Sequence, residues 1–86
     1  MDISSGSTVT HTLRYNATYL LFVKPGLDSQ GSEFYVIGTT GKIYWINKVC
    51  NGNICTVTAS GLVLKMYNST ANTINIYCLG SRRDTD

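Results

Sequence analysis

The residues able to do chemistry in this chain are few. Three cysteines (Cys50, Cys55 and Cys78), one histidine (His11) and five acids (Asp2, Asp28, Glu33, Asp84 and Asp86) make up the whole reactive inventory. Cys50 and Cys55 flank a short Asn-Gly-Asn loop, and a four-residue opening there sets them opposite one another at a separation suited to a disulfide. Cys78 falls near the C-terminal end and leaves an odd thiol over. Three cysteines and a distant histidine lack the paired close spacing that holds a structural zinc ion, so no metal site is expected. Nothing sets His11 beside a thiol, and the acids lie near the termini or in one loop. No carboxylate pair is therefore held for general acid and base chemistry. Gly38-Thr39-Thr40-Gly41-Lys42 has neither the spacing nor the following helix of a phosphate cradle and reads as a hairpin turn. No catalytic residue, cofactor or enzymatic activity is expected.

Two sequons remain. Asn16-Ala17-Thr18 and Asn68-Ser69-Thr70 would accept N-linked glycan on a chain that passes through a secretory route. Asn68, at a hairpin end, is expected to be accessible, and Asn16, within a strand, less so.

The elements that must carry these residues are strands. Turn signals recur at Pro25-Gly26 through Gly31, Thr39-Thr40-Gly41, Asn51-Gly52-Asn53, Ser60-Gly61 and Ser69 to Asn72. The runs between them are rich in Ile, Val, Tyr and Thr. This spacing predicts an all-β, antiparallel meander of about six strands near residues 9–24, 33–38, 42–49, 54–59, 62–68 and 73–79, closed or nearly closed into a barrel or sandwich. Residues 1–8 are expected as a flexible N-terminal segment, 9–80 as the β domain and 81–86 as a flexible polar tail.

Residues opposite one another in an antiparallel pair share a face, so each turn fixes two strands against each other. A Ser60-Gly61 turn pairs Ala59 with Leu62 and Val57 with Leu64. A Thr40-Gly41 turn pairs Ile37 with Tyr44 and Tyr35 with Ile46. An Asn51-Gly52 turn sets Ile46 opposite Val57, and a three-residue loop at 69–71 sets Met66 opposite Ile74. One face then collects Tyr35, Ile37, Tyr44, Ile46, Cys55, Val57, Ala59, Leu62, Leu64, Met66, Ile74, Ile76 and Cys78, and is the expected core. The other face carries Phe34, Val36, Ile43, Trp45, Val49, Val63, Tyr67, Tyr77 and Leu79. Such a face calls for cover by the first strand, by closure of the sheet or by another molecule.

Trp45, followed by Leu62-Val63-Leu64, Tyr67 and the late Tyr77-Cys78, resembles the second half of an immunoglobulin-type domain, as in viral glycoproteins that bind immune receptors. It covers under half of the chain. No upstream strand supplies a cysteine to pair with Cys78, and the tyrosine adjoins the cysteine instead of preceding it by two residues. The regular turn spacing favours a meander over Greek-key connections, and no functional residue is carried over.

Composition sets the function class. Charged residues are 14% of the chain and the net charge is +2, with the basic residues scattered, so nucleic acid is not an expected partner. No apolar run reaches the roughly 18 residues of a membrane span. Met1 to His11 does not read as a signal peptide. Few charges and abundant neutral polar residues suit a surface made for packing, extracellular or on a virion. The expectation is a non-catalytic structural or interaction module of virion, pilus or surface-subunit type. It would form a homo-oligomer or bind a protein partner through an aromatic face (Phe34, Trp45, Tyr67, Tyr77) and an exposed strand edge. The alternative is a carbohydrate or single-stranded nucleic acid stacked on the same rings.

Overall fold

The computed structural model describes residues 1–27, 31–40, 43–50 and 53–80. They form eight strands: β1 Asp2–Ile3, β2 Thr8–Thr12, β3 Thr18–Lys24, β4 Glu33–Thr40, β5 Ile43–Lys48, β6 Cys55–Ser60, β7 Val63–Asn68 and β8 Ile74–Gly80. All pairings are antiparallel, in two open sheets of order β1-β8-β3-β4-β5 and β2-β7-β6. The all-β class is as expected. The closed six-strand meander is corrected to a sandwich of two open sheets.

The connections permit this division. Loops of two residues join β4 to β5 and β6 to β7, and both are hairpins within one sheet. The segments 13–17, 49–54 and 69–73 are five or six residues long, enough to carry the chain from one sheet to the other. The expected pairings of Ile46 with Val57 and of Met66 with Ile74 therefore do not form, because each joins strands of different sheets. The single long strand 9–24 is broken where Asn16 adopts a left-handed conformation, φ 52°. Asn tolerates that region at low cost. Residues 1–8 are tied down, since Ile3 is buried and pairs with Ile74, and Met1 exchanges backbone bonds with Ile76. The tail 81–86 lies outside the described residues.

The registers of both hairpins are shifted by two residues from expectation. Gly61 has φ 59°, which suits the first central position of a type II′ turn, so Ser60 pairs with Val63, Ala59 with Leu64 and Val57 with Met66. Likewise Ile37 pairs with Ile46 and Tyr35 with Lys48. A shift of two leaves every side chain on its face. Tyr35, Ile37, Cys55, Leu64, Met66, Ile74 and Ile76 are accordingly all buried in one core between the sheets, joined by Leu21 and Val23 of β3. Ile46, Val57, Ala59, Leu62 and Cys78 are partly buried against it, while Tyr44 stands at the margin with its hydroxyl donating to the Ala59 carbonyl at 2.7 Å.

The strands β8, β3, β4 and β5 of one sheet face β2, β7 and β6 of the other across the shared core. The short β1 pairs with the remaining side of β8. Trp45 is on the outer strand β5.

Candidate functional site: the outer face of the five-stranded sheet

Alternation along β3, β4, β5 and β8 turns Leu20, Phe22, Phe34, Val36, Trp45, Tyr77 and Leu79 away from the core. The registers bring them side by side. Phe22 lies opposite Phe34 on one flank and Tyr77 on the other, and Leu20 lies between Val36 and Leu79. The Phe22 and Phe34 rings are 5.0 Å apart and tilted, and Phe22 and Tyr77 are 6.2 Å apart and stacked. Both spacings fall in the range where aromatic pairs attract beyond simple area burial. Tyr77 is 57% exposed, Trp45 and Leu79 49% and Phe22 42%, a contiguous apolar stretch open to solvent. At one end a groove of about 510 Å³ opens beside Phe22, Phe34, Cys50 and Tyr77.

Trp45 completes the face at the other end. Its indole covers Gly38, directly opposite on β4, and a Cβ on that glycine would collide with the six-membered ring. Gly38 thus lets the ring lie close to the sheet, which keeps the surface low and broad. Among the described strand residues, the charges on this side are Lys24 and Asp2, which flank Asn75 in a single row at one margin.

Of the expected platform, Phe34, Trp45 and Tyr77 are brought together. Tyr67 is not, because β7 belongs to the other sheet and its outward side chains sit on the far side of the molecule among Thr8, Thr56 and Lys65. Phe22 and Leu20 take its place. The first strand, one of the three covers this face calls for, is instead built into its middle as β3.

The sheet edge is also partly open. Ile76 exchanges both backbone bonds with Met1, so the alternate residue Cys78 directs its backbone groups to the same side, beyond the end of β1. Among the described residues no backbone partner meets them there.

The thiols are separate and reduced. Cys50 accepts a bond from the Phe34 amide at 3.1 Å and donates to the Ser32 carbonyl at 3.4 Å, while Cys55 begins β6 opposite Asn68. The Cys50–Cys55 bridge that the sequence allows is not formed. Burial pushes the Cys55 thiol up to about 11, with the charge of Glu33 adding to the effect, and burial also raises Cys78. Neither is a thiolate at neutral pH, so neither is an activated nucleophile.

A polar cluster absent from the expectations lies under the same sheet. Glu33 is almost wholly buried. Its Oε1 accepts from the Cys55 amide at 3.0 Å and the Tyr35 hydroxyl at 3.2 Å, and its Oε2 accepts from the Ile54 amide at 3.1 Å and lies 2.9 Å from Lys48 Nζ. The single Tyr35 hydroxyl proton is shared between Glu33 and the Cys55 carbonyl, which lies at 2.9 Å, and Lys48 Nζ stands 5.6 Å from the Tyr35 ring centre. Burial, then the neighbouring Glu33 charge, holds the Tyr35 phenol well above its usual range. Carboxylate and cation are consumed in joining β4 and β5 to the start of β6, which is an architectural use. The alternation Glu33, Tyr35, Ile37 and Tyr44, Ile46, Lys48 puts both charges on the inward face, and that was the available signal.

The expected accessibility of the two sequons is reversed: Asn16 is exposed on the β2–β3 connection, outside any strand because of its left-handed backbone. Asn68 is fully buried.

Comparison with protein-family models, with curated proteins and with solved structures finds no match to this chain.

Proposed function

We propose that this domain is a non-catalytic interaction module, of the kind that builds a virion, pilus or other external surface, and that it associates with a second copy of itself through the outer face of β8-β3-β4-β5. The contiguous stretch centred on Phe22, Phe34, Tyr77 and Trp45 carries the reading. Monomeric proteins seldom leave so continuous an apolar surface in water, and rings with large area and few rotatable bonds are the usual anchors of an interface.

The choice of a second copy follows from charge. Among the described strand residues the face presents only Lys24 and Asp2, in one marginal row, a weak field for selecting a strongly charged partner. Two identical neutral faces related by a two-fold axis are complementary by construction. A domain of 86 residues also gains proportionately from burying such a face, because small domains bury a limited share of their surface on folding. The open edge at Cys78 offers a second route to assembly by strand addition.

Sedimentation velocity on the wild type and on Phe22→Ser combined with Tyr77→Ser tests this. The expected result is a dimer or larger species for the wild type and a folded monomer for the variant. A monomeric wild type that binds on a glycan array would replace self-association by ring stacking on carbohydrate.

A further inference from the structure

The two sequons are chemically alike in sequence and opposite in the fold. Asn68 is completely enclosed at the end of β7, and both hydrogens of its amide nitrogen are in use: Nδ2 donates to the Ile3 carbonyl at 2.9 Å and to the Asn72 carbonyl at 2.7 Å. Its Oδ1 accepts from the Thr70 amide at 2.9 Å and the Thr70 hydroxyl at 2.7 Å. This side chain stands in for backbone, tying β1 to the β7–β8 connection. A sugar on Nδ2 would remove one donated bond and require space that the core does not contain.

Asn16 has none of that enclosure. It stands at φ 52° on the exposed turn before β3, and the next residue, Ala17, is anchored through reciprocal bonds with Thr39: its amide donates to the hydroxyl at 3.0 Å and its carbonyl accepts from the amide at 2.9 Å. Thr18, which completes the sequon, is exposed at the start of β3.

We infer that Asn16, and not Asn68, is the N-glycan acceptor of the folded chain. In the reaction the amide nitrogen of Asn16 bonds to the anomeric carbon of a lipid-diphosphate-linked oligosaccharide. The anomeric C–O bond breaks, the lipid diphosphate leaves, and the displaced amide proton passes to the transferase. A chain modified at Asn68 cannot rebuild the β1 and β7–β8 contacts and is not recovered as folded protein. Asn16 lies near the Trp45 end of the aromatic face. Thr18 pairs with Gly38, under the Trp45 ring, and Phe22 lies four residues further along β3, about 13 Å away at roughly 3.3 Å per residue.

The test is expression of the chain behind a cleavable signal peptide in mammalian cells. Site occupancy in the secreted, folded fraction is read by peptide mass spectrometry after enzymatic deglycosylation in heavy-oxygen water. The expected result is label at Asn16 alone, with the glycan lost in Thr18→Ala, a change at an exposed position, and kept in Thr70→Ala. Label at Asn68 in the secreted protein, a glycan that survives Thr18→Ala, or an unoccupied Asn16 overturns the inference.

Discussion

The Trp45 indole sits over Gly38 of the neighbouring strand, in the space a β-carbon there would need. That contact makes a single glycine responsible for the shape of one end of the exposed apolar face. Gly38→Ala should push the ring outward while the fold persists, at a stability loss of about 1–3 kcal/mol from overpacking. Trp45 is the only tryptophan, so the change reads directly as a red shift of intrinsic fluorescence, with a thermal melt supplying the loss.

Removing the charge of Glu33 should be far more damaging than its loop-like surroundings in the sequence suggest. In Glu33→Gln the amide nitrogen must face one of the donors that now bond the carboxylate, and Lys48 loses its counter-charge. A loss of about 1–3 kcal/mol is expected, the cost of leaving a buried donor unsatisfied. Lys48→Met should cost less, because the ammonium is partly in water and the carboxylate keeps its three other donors. Urea denaturation of both variants checks the order.

Inward and outward residues should separate cleanly in mutagenesis. Leu64 is fully buried in the core and Trp45 is half exposed on the outer face. Leu64→Asp puts an unpaired carboxylate into the sandwich and should abolish cooperative melting. Trp45→Ala should melt within about 1 kcal/mol of the wild type, since solvent-facing substitutions are normally small, and weaken association instead.

Stability should fall at alkaline pH. Burial raises the thiol of Cys55 from 9.0 to about 11, and raises Cys78 and the Tyr35 phenol as well. The unfolded chain therefore releases these protons first, so the stability they contribute is intact below pH 9.0 and is lost as pH rises through about 11. Cys55→Ala should flatten the decline over that interval in melts taken at successive pH values.

The inward set of side chains was legible from the sequence, although two hairpin registers were off by two residues. Face assignment depends on parity alone, so Val57, Leu64, Ile37 and Ile46 kept their side when their partners changed. The division into two sheets was not legible in the same way. Whether 49–54 and 69–73 turn back within a sheet or cross to the other one depends on long-range packing that local turn signals do not encode. That division also separated Tyr67 from Tyr77 and put Phe22 in the middle of the face. Glu33 and Lys48 could have been found, since both fall on inward positions with opposite charge. Burial of Asn68 likewise continues the alternation of Leu64 and Met66.

The most direct test of the outer face as the association surface is acrylamide quenching of Trp45 across a hundredfold range of protein concentration, with mass followed by light scattering on the same samples. Quenching that falls as the mass rises is the predicted result. A mass that rises with quenching unchanged would place the contact elsewhere, and a mass that stays monomeric throughout would contradict self-association.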